Sequence, residues 1–229
     1  MRILQILTVA FLAGHAAAES PNILLSVYSA KEGGGLDPAS KFWKESGAVV
    51  ADRDNFGHAV PGHRTVIHSR WTRQNLYLLF ECPYEELWLK PNGTAAQETF
   101  GLWDWDVAEA FLGTDFNDIK RYKEFEVSPR GEWVDLNIDL NKPNHEEGWK
   151  WNSGFAHTAR IDKAKHIWYA EMRIPWKALQ PAEPHKGEEL RANFFRAQGP
   201  PKGRRLIAWR PPMKDTFHTP EAFGTLRLE

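Results

Sequence analysis

The sequence predicts an all-β protein, a single antiparallel sandwich, and three observations carry that reading. Apolar and polar residues alternate with period two in strand-length runs along most of the chain. Turns rich in glycine and proline separate those runs. Helical signals are confined to two short stretches, and no internal repeat or linker interrupts the pattern.

The N-terminus stands apart. Arg2 precedes a mainly apolar run from Ile3 to Gly14, and Ala16-Ala17-Ala18 supplies a small-x-small cleavage site before Glu19. Residues 1–18 are therefore expected to be a signal peptide and 19–229 one mature domain, secreted or periplasmic, long enough to build a stable core. Next, Asp37-Pro38 reads as an N-cap with proline at the first helical position, opening a short helix through Trp43. Asn75 to Cys82 (NLYLLFEC) is a strongly apolar, central strand. Tyr122 to Ser128 places Phe125 and Val127 on one face and Glu124 and Glu126 on the other. Trp133 to Leu140 sends Val134, Leu136, Ile138 and Leu140 one way and Trp133, Asp135, Asn137 and Asp139 the other, with Ser128-Pro129-Arg130-Gly131 as the hairpin turn between these two strands. Further strands are expected over His166–Ile174, Leu190–Ala197 and Gly224–Leu228, and Pro175 to Leu179 forms about one helical turn. Pro181–Glu189 and Gly199–Arg205 are loops.

Composition narrows the function. The 29 basic and 30 acidic residues nearly balance, with no basic stripe for nucleic acid and no basic amphipathic helix for a membrane surface. No segment approaches the roughly 20 apolar residues of a membrane span. Cys82 is the sole cysteine, which leaves no intramolecular disulfide and no thiolate metal cluster. Eleven tryptophans are more than a sandwich core needs, since a buried indole N–H requires a partner.

The richest segment is Leu102 to Leu112, LWDWDVAEAFL, with two tryptophans and three carboxylates in its first eight positions. Indole faces stack on flat, partly apolar surfaces such as sugar rings, and carboxylates accept hydrogen bonds from hydroxyls or ligate hard cations. This chemistry points to a polyhydroxylated ligand. Glu109 shares parity with Val107 and Phe111, so it projects from an apolar face and needs a ligand, a metal, or an ion pair with an arginine such as Arg191 or Arg196.

The order of motifs carries a resemblance. A strand ends in Trp71 with Asn75-Leu76-Tyr77 following. Then come WDWDVAEAFL, a YKEFEVSPRG hairpin, AEMRIPWKAL, RANFFR, AWRPP and FHTPEAFGTLRL. This series resembles the family 9 carbohydrate-binding modules (CBM9) over roughly residues 36 to 229. The resemblance implies an immunoglobulin-like sandwich that binds oligo- or polysaccharide without catalysis, often with bound calcium. It places the first stacking aromatic on Trp103, the hydrogen-bonding carboxylate on Glu109 and the second stacking aromatic on Phe217, where tryptophan is usual. The family's arginine aligns with Glu126, and Arg196 is the substitute the sequence offers, since a guanidinium can bridge two hydroxyls. Asp106, in the same acidic run, completes the expected ligand-binding set of Trp103, Glu109, Phe217, Arg196 and Asp106. A glycoside hydrolase acting in trans is the candidate protein partner.

Two loops are candidates for calcium: Asp52, Asp54 and Asn55, and Asp115, Asn117 and Asp118, with the four aspartates as ligands. Neither matches the EF-hand pattern, and solvated turns are the competing reading. His58, His63 and His68, at five-residue intervals, do not share the spacing of a zinc site. Asn92-Gly93-Thr94 is a glycosylation sequon if the source is eukaryotic. Two other function classes remain open. Asp104-x-Asp106-x-x-Glu109 approaches the strand motif of retaining glycosidases, with Asp104 and Glu109 as the paired carboxylates. A haem sandwich would need axial ligands from Met172 or Met213.

Overall fold

The computed structural model describes residues 22–142 and 149–229, so the predicted leader lies outside the described residues. In chain order the strands are β1 Ile23–Tyr28, β2 Gly47–Ala51, β3 Arg53–Asp54, β4 Thr65–Trp71, β5 Asn75–Pro83, β6 Val107–Gly113 and β7 Arg121–Val127. They continue with β8 Trp133–Asp139, β9 Ala156–Asp162, β10 Ile167–Pro175, β11 Glu189–Gln198, β12 Arg205–Ala208 and β13 Gly224–Leu228. Two helical turns, α1 Lys41–Lys44 and α2 Trp176–Leu179, complete the regular structure with two 3-10 turns. The all-β sandwich that the alternation predicts is what forms.

One sheet runs β8-β7-β6-β11-β13, with β12 pairing β11 and β3 pairing β12. The other runs β4-β5-β10-β9, with β2 on β4. β1 joins them along one side, parallel to both β13 and β4, and is the exception to the antiparallel pattern. A parallel neighbour needs no hairpin, which suits a strand that arrives at the start of the domain with both partners far along the chain.

Apolar clusters cover the inner faces of the two sheets and part of each outer face. The main core lies between them and takes Leu78 and Phe80 from β5, Met172 from β10, Ala110 from β6, Phe125 from β7 and Phe194 from β11. A second apolar cluster covers the outer face of the first sheet, with Phe111, Tyr122, Val134, Leu136, Ile138 and Phe195. A third sits outside the second sheet, where Trp43 of α1 packs with Tyr77, Leu79 and Tyr169. β5 reads as a continuous apolar run because its two parities serve two different clusters.

Local chemistry sets the remaining details. Gly131 adopts φ 85° and donates to the Ser128 carbonyl at 3.0 Å, which closes the β7–β8 hairpin where the sequence predicts it. The first helix starts three residues later than expected, with Ser40 as its cap, accepting from the Trp43 N–H at 3.4 Å. Asp37 instead accepts from the Ala39 N–H at 2.9 Å, so Asp37-Pro38 makes a turn that precedes the helix.

β1 is the seam between the sheets, and Leu24 is fully buried in the main core. Leu24→Ala is expected to destabilise the protein by about 2–5 kcal/mol in chemical denaturation. A loss well under 1 kcal/mol would show that β1 docks only peripherally.

Candidate functional site

The site begins with the register of β6 against β7. Glu109 lies opposite Glu126, and Phe111 opposite Glu124. Strand alternation then sends Glu109, Glu124 and Glu126 to the same outer face of the sheet, beneath the second apolar cluster. All three are buried, and one oxygen from each lies within 4.8 Å of the others. Both carboxylate oxygens of Glu126 and Oε2 of Glu124 accept from no N–H or neutral hydroxyl among the described residues, and the Glu124 and Glu126 carboxyls lie against each other. Burial pushes the Glu109 and Glu126 carboxyls well above the usual carboxylate range, and the neighbouring carboxylates push them further.

Above the carboxylates opens a pocket of about 410 Å³. Trp103, Phe111, Trp149, Phe217 and His218 give it aromatic walls, and Glu109, Glu124 and Thr216 give it polar groups. Phe217 is stacked on Phe195 with centroids 4.0 Å apart and planes 17° from parallel. His218 is fixed by a 2.7 Å hydrogen bond between its Nδ1 and the Tyr122 hydroxyl. Trp103 sits in a 3-10 turn, Leu102–Asp104, that enters through Gly101 in the left-handed region at φ 79°.

Arg204 holds that turn. Its guanidinium donates to the carbonyls of Asp104 at 3.1 Å, Trp105 at 2.6 Å and Gly199 at 2.9 Å, and also to the carbonyl of Trp103. Its charge draws the Glu109 and Glu126 carboxyls partly back toward ionisation. The Trp105 ring leaves the pocket and stacks on Trp88, centroids 5.5 Å apart, with the Lys90 ammonium over it at 5.8 Å.

The structure brings three of the five expected ligand-binding residues, Trp103, Glu109 and Phe217, to this one pocket. It places the other two elsewhere. Arg196 has the opposite parity to Phe195 and points between the sheets, where it is fully buried. There it donates to the Pro83 carbonyl at 2.5 Å and to Gln198, and lies over the Trp168 ring. Asp106 is fully buried and fastens two loops, accepting from the N–H of Trp88 at 2.9 Å and of Gly199 at 2.6 Å. Neither arginine weighed as a partner for Glu109 reaches it, since Arg191 is spent on the carbonyls of Asp115 and Ile119.

The loop aspartates are also engaged locally. Asp54 accepts from the N–H of Phe56 and of His58, and Asp52 pairs with Arg53 at 3.3 Å. Asp115 accepts from the N–H of Asn117 and Asp118, which hold its carboxyl below the usual range, and Asp118 pairs with Arg121 at 3.3 Å. These are turn-forming contacts. Among the described residues, the three glutamates are the one group of metal-capable side chains that converges. The three histidines separate: His58 pairs with Asp54, His63 meets Arg205, and His68 bonds Glu81. Asp104 is exposed and outside the pocket lining, apart from Glu109. Met172 is buried in the main core, and Met213 is 63% exposed.

Sequence reasoning missed Glu124, Trp149, Arg204 and His218. Glu124 shares parity with Glu126, which the alternation of β7 showed. Arg204 sits in an aperiodic loop, where no spacing marks it.

Fold and site together define a β-sandwich with an aromatic-walled pocket over buried carboxylates. The carbohydrate family 9 binding domain-like family matches residues 40–229, and the chain belongs to it. An extracellular protein of Arthroderma benhamiae is 26% identical, the match covering 74% of this chain and 82% of that one. Among solved structures, a Bacteroides uniformis protein described as a candidate carbohydrate-binding protein superimposes with TM-score 0.72 at 16% identity, covering 90% of this chain and 99% of that one. A CBM9 module from Caldicellulosiruptor kristjanssonii matches in its cellotriose complex (TM-score 0.61) and its glucose complex (0.62), both at 16% identity. These matches cover 90% of this chain and 93% and 95% of the others. No helix among the described residues is long and apolar enough to cross a membrane.

The raised Glu109 and Glu126 carboxyls predict a pH effect. A carboxyl whose folded pKa exceeds its unfolded value of about 4.3 stabilises below that value and loses the contribution as pH rises through the folded pKa. In chelator, thermal stability is expected to fall as pH rises from acidic toward neutral, with a shallower fall in Glu126→Gln. Identical profiles for the two proteins would show that Glu126 is not the source.

Proposed function

We propose that the chain is a secreted, non-catalytic module that binds carbohydrate in the pocket walled by Trp103 and Phe217. The observation that carries this reading is the joint lining of one pocket by stacking aromatics and hydroxyl-accepting carboxylates. Its volume lies within the roughly 300–1,000 Å³ of small-ligand sites. Membership of the family supports the ligand class. The cellotriose and glucose bound by the Caldicellulosiruptor module make gluco-oligosaccharides the first ligands to try. The leader-like N-terminus and the extracellular relative support secretion.

The walls would hold the less polar faces of a pyranose ring, while Glu109 and Glu124 accept from its hydroxyls. Asp104 is exposed and outside the pocket lining, which supports binding over cleavage by an Asp104/Glu109 pair. Such a module would serve a polysaccharide-degrading enzyme in trans by holding it near its substrate.

Titration of tryptophan fluorescence with mono- and oligosaccharides tests the reading. Base stacking on an aromatic contributes about 1–3 kcal/mol in nucleic-acid sites, and a sugar–indole contact is of similar or smaller size. Trp103→Ala is therefore expected to weaken binding by about tenfold, and Phe217→Trp, with its larger stacking face, to tighten it. Arg196→Lys should leave the affinity unchanged. Wild-type affinity in Trp103→Ala, or release of reducing ends from a β-glucan that Glu109→Gln abolishes, would overturn the proposal.

A further inference from the structure

We propose that Glu109, Glu124 and Glu126 form a binding site for a hard divalent cation of the calcium class, set beneath the pocket. The geometry is the first support. One oxygen from each carboxylate lies within 4.8 Å of the others, a span that metal–oxygen bonds of about 2.3–2.6 Å can bridge around one ion. Three carboxylates offer up to six oxygens, all hard donors, and no sulfur or imidazole is among them. That donor set selects calcium-like ions over zinc or copper.

The second support is the state of Glu126. It is fully buried, and neither of its oxygens accepts from an N–H or a neutral hydroxyl among the described residues; its polar neighbour is another carboxyl, that of Glu124. Buried carboxylates are ordinarily hydrogen-bonded, paired or metal-bound. None of the described ion pairs includes any of the three glutamates. Arg204, the cation whose field reaches Glu109 and Glu126, commits both its terminal nitrogens to four backbone carbonyls. The gathered carboxyl oxygens are therefore left without a counter-cation, for a ligand to satisfy.

Access comes from above, because Glu109 and Glu124 line the open pocket. An ion there would keep coordination positions facing the cavity for water or for a sugar hydroxyl. That last step rests on the proposed function, whereas the ion site itself does not.

Terbium, which occupies calcium sites and is excited through nearby tryptophan, provides the test. With Trp103 and Trp149 in the pocket walls, the purified protein without sugar is expected to show saturable sensitised emission that calcium displaces. Glu126→Gln and, as a second variant, Glu109→Gln should each weaken terbium binding at least tenfold, while Asp54→Asn and Asp115→Asn leave it unchanged. Calcium should also raise the melting temperature of the wild type and not of Glu126→Gln. Emission that is absent, that persists in both glutamine variants with native circular dichroism, or that vanishes in the loop variants would overturn the proposal. Sugar titrations in calcium and in chelator then read the two ideas separately. Binding in chelator with no terbium emission sinks the ion site and keeps the sugar site. Terbium emission with no sugar response does the reverse.

Discussion

The register of β6 against β7 is the constraint on which the site depends. Every residue of β6 is buried, so both of its faces are committed. Ala108, Ala110 and Leu112 fill the main core, and Val107, Glu109 and Phe111 face the outer cluster. On β7, Phe125 and Val127 fall inward and Tyr122, Glu124 and Glu126 outward. A one-residue slip of either strand would drive carboxylates between the sheets and expel Phe125 or the small β6 residues. The apolar core thus fixes the acidic cluster with the same pairing that builds the sandwich.

Held this way, the carboxylates need a cover, and the chain supplies it from aperiodic segments. The turn carrying Trp103 has no strand neighbour of its own. Arg204 ties its carbonyls together, and Asp106, one residue before β6, anchors the loops through Trp88 and Gly199. Charged groups positioned on backbone amides and carbonyls give a loop the rigidity that hydrogen-bonded strands have already. The two tryptophans of the WDW run diverge as a result. Trp103 enters the pocket, and Trp105 turns outward onto Trp88.

Alternation made the sandwich legible in the sequence, because the period of two survives wherever a strand runs. It also fixed parity, and the parity of Glu109 led to the site. Parity alone does not say which side is which when both faces of a sheet are covered. In the segment NFFR, Phe194 and Phe195 are equally apolar, and one faces the main core while the other faces the pocket cluster. Arg196 follows Phe194 inward, a choice that only the tertiary structure makes. Asp106 could have been placed, since it shares parity with Ala108 and opposes Glu109. Arg204 and His218 lie in segments without a period, so their convergence on the site depends on contacts remote in sequence.

The buried glutamates also separate what the fold requires from what it tolerates. The outer face of β6 and β7 is otherwise apolar and aromatic, and apolar residues at positions 109, 124 and 126 would pack there without a desolvation cost. Replacing buried charged groups with apolar ones of similar volume is commonly neutral or stabilising. Three carboxylates gathered at that spot, two of them raised well above their ordinary titration range, oppose the stability of the sandwich. Their concentration under the aromatic pocket, and not along the exposed strand edges, is what the proposed ligand chemistry would account for. Sites that bind are where a fold sustains arrangements that packing alone would remove.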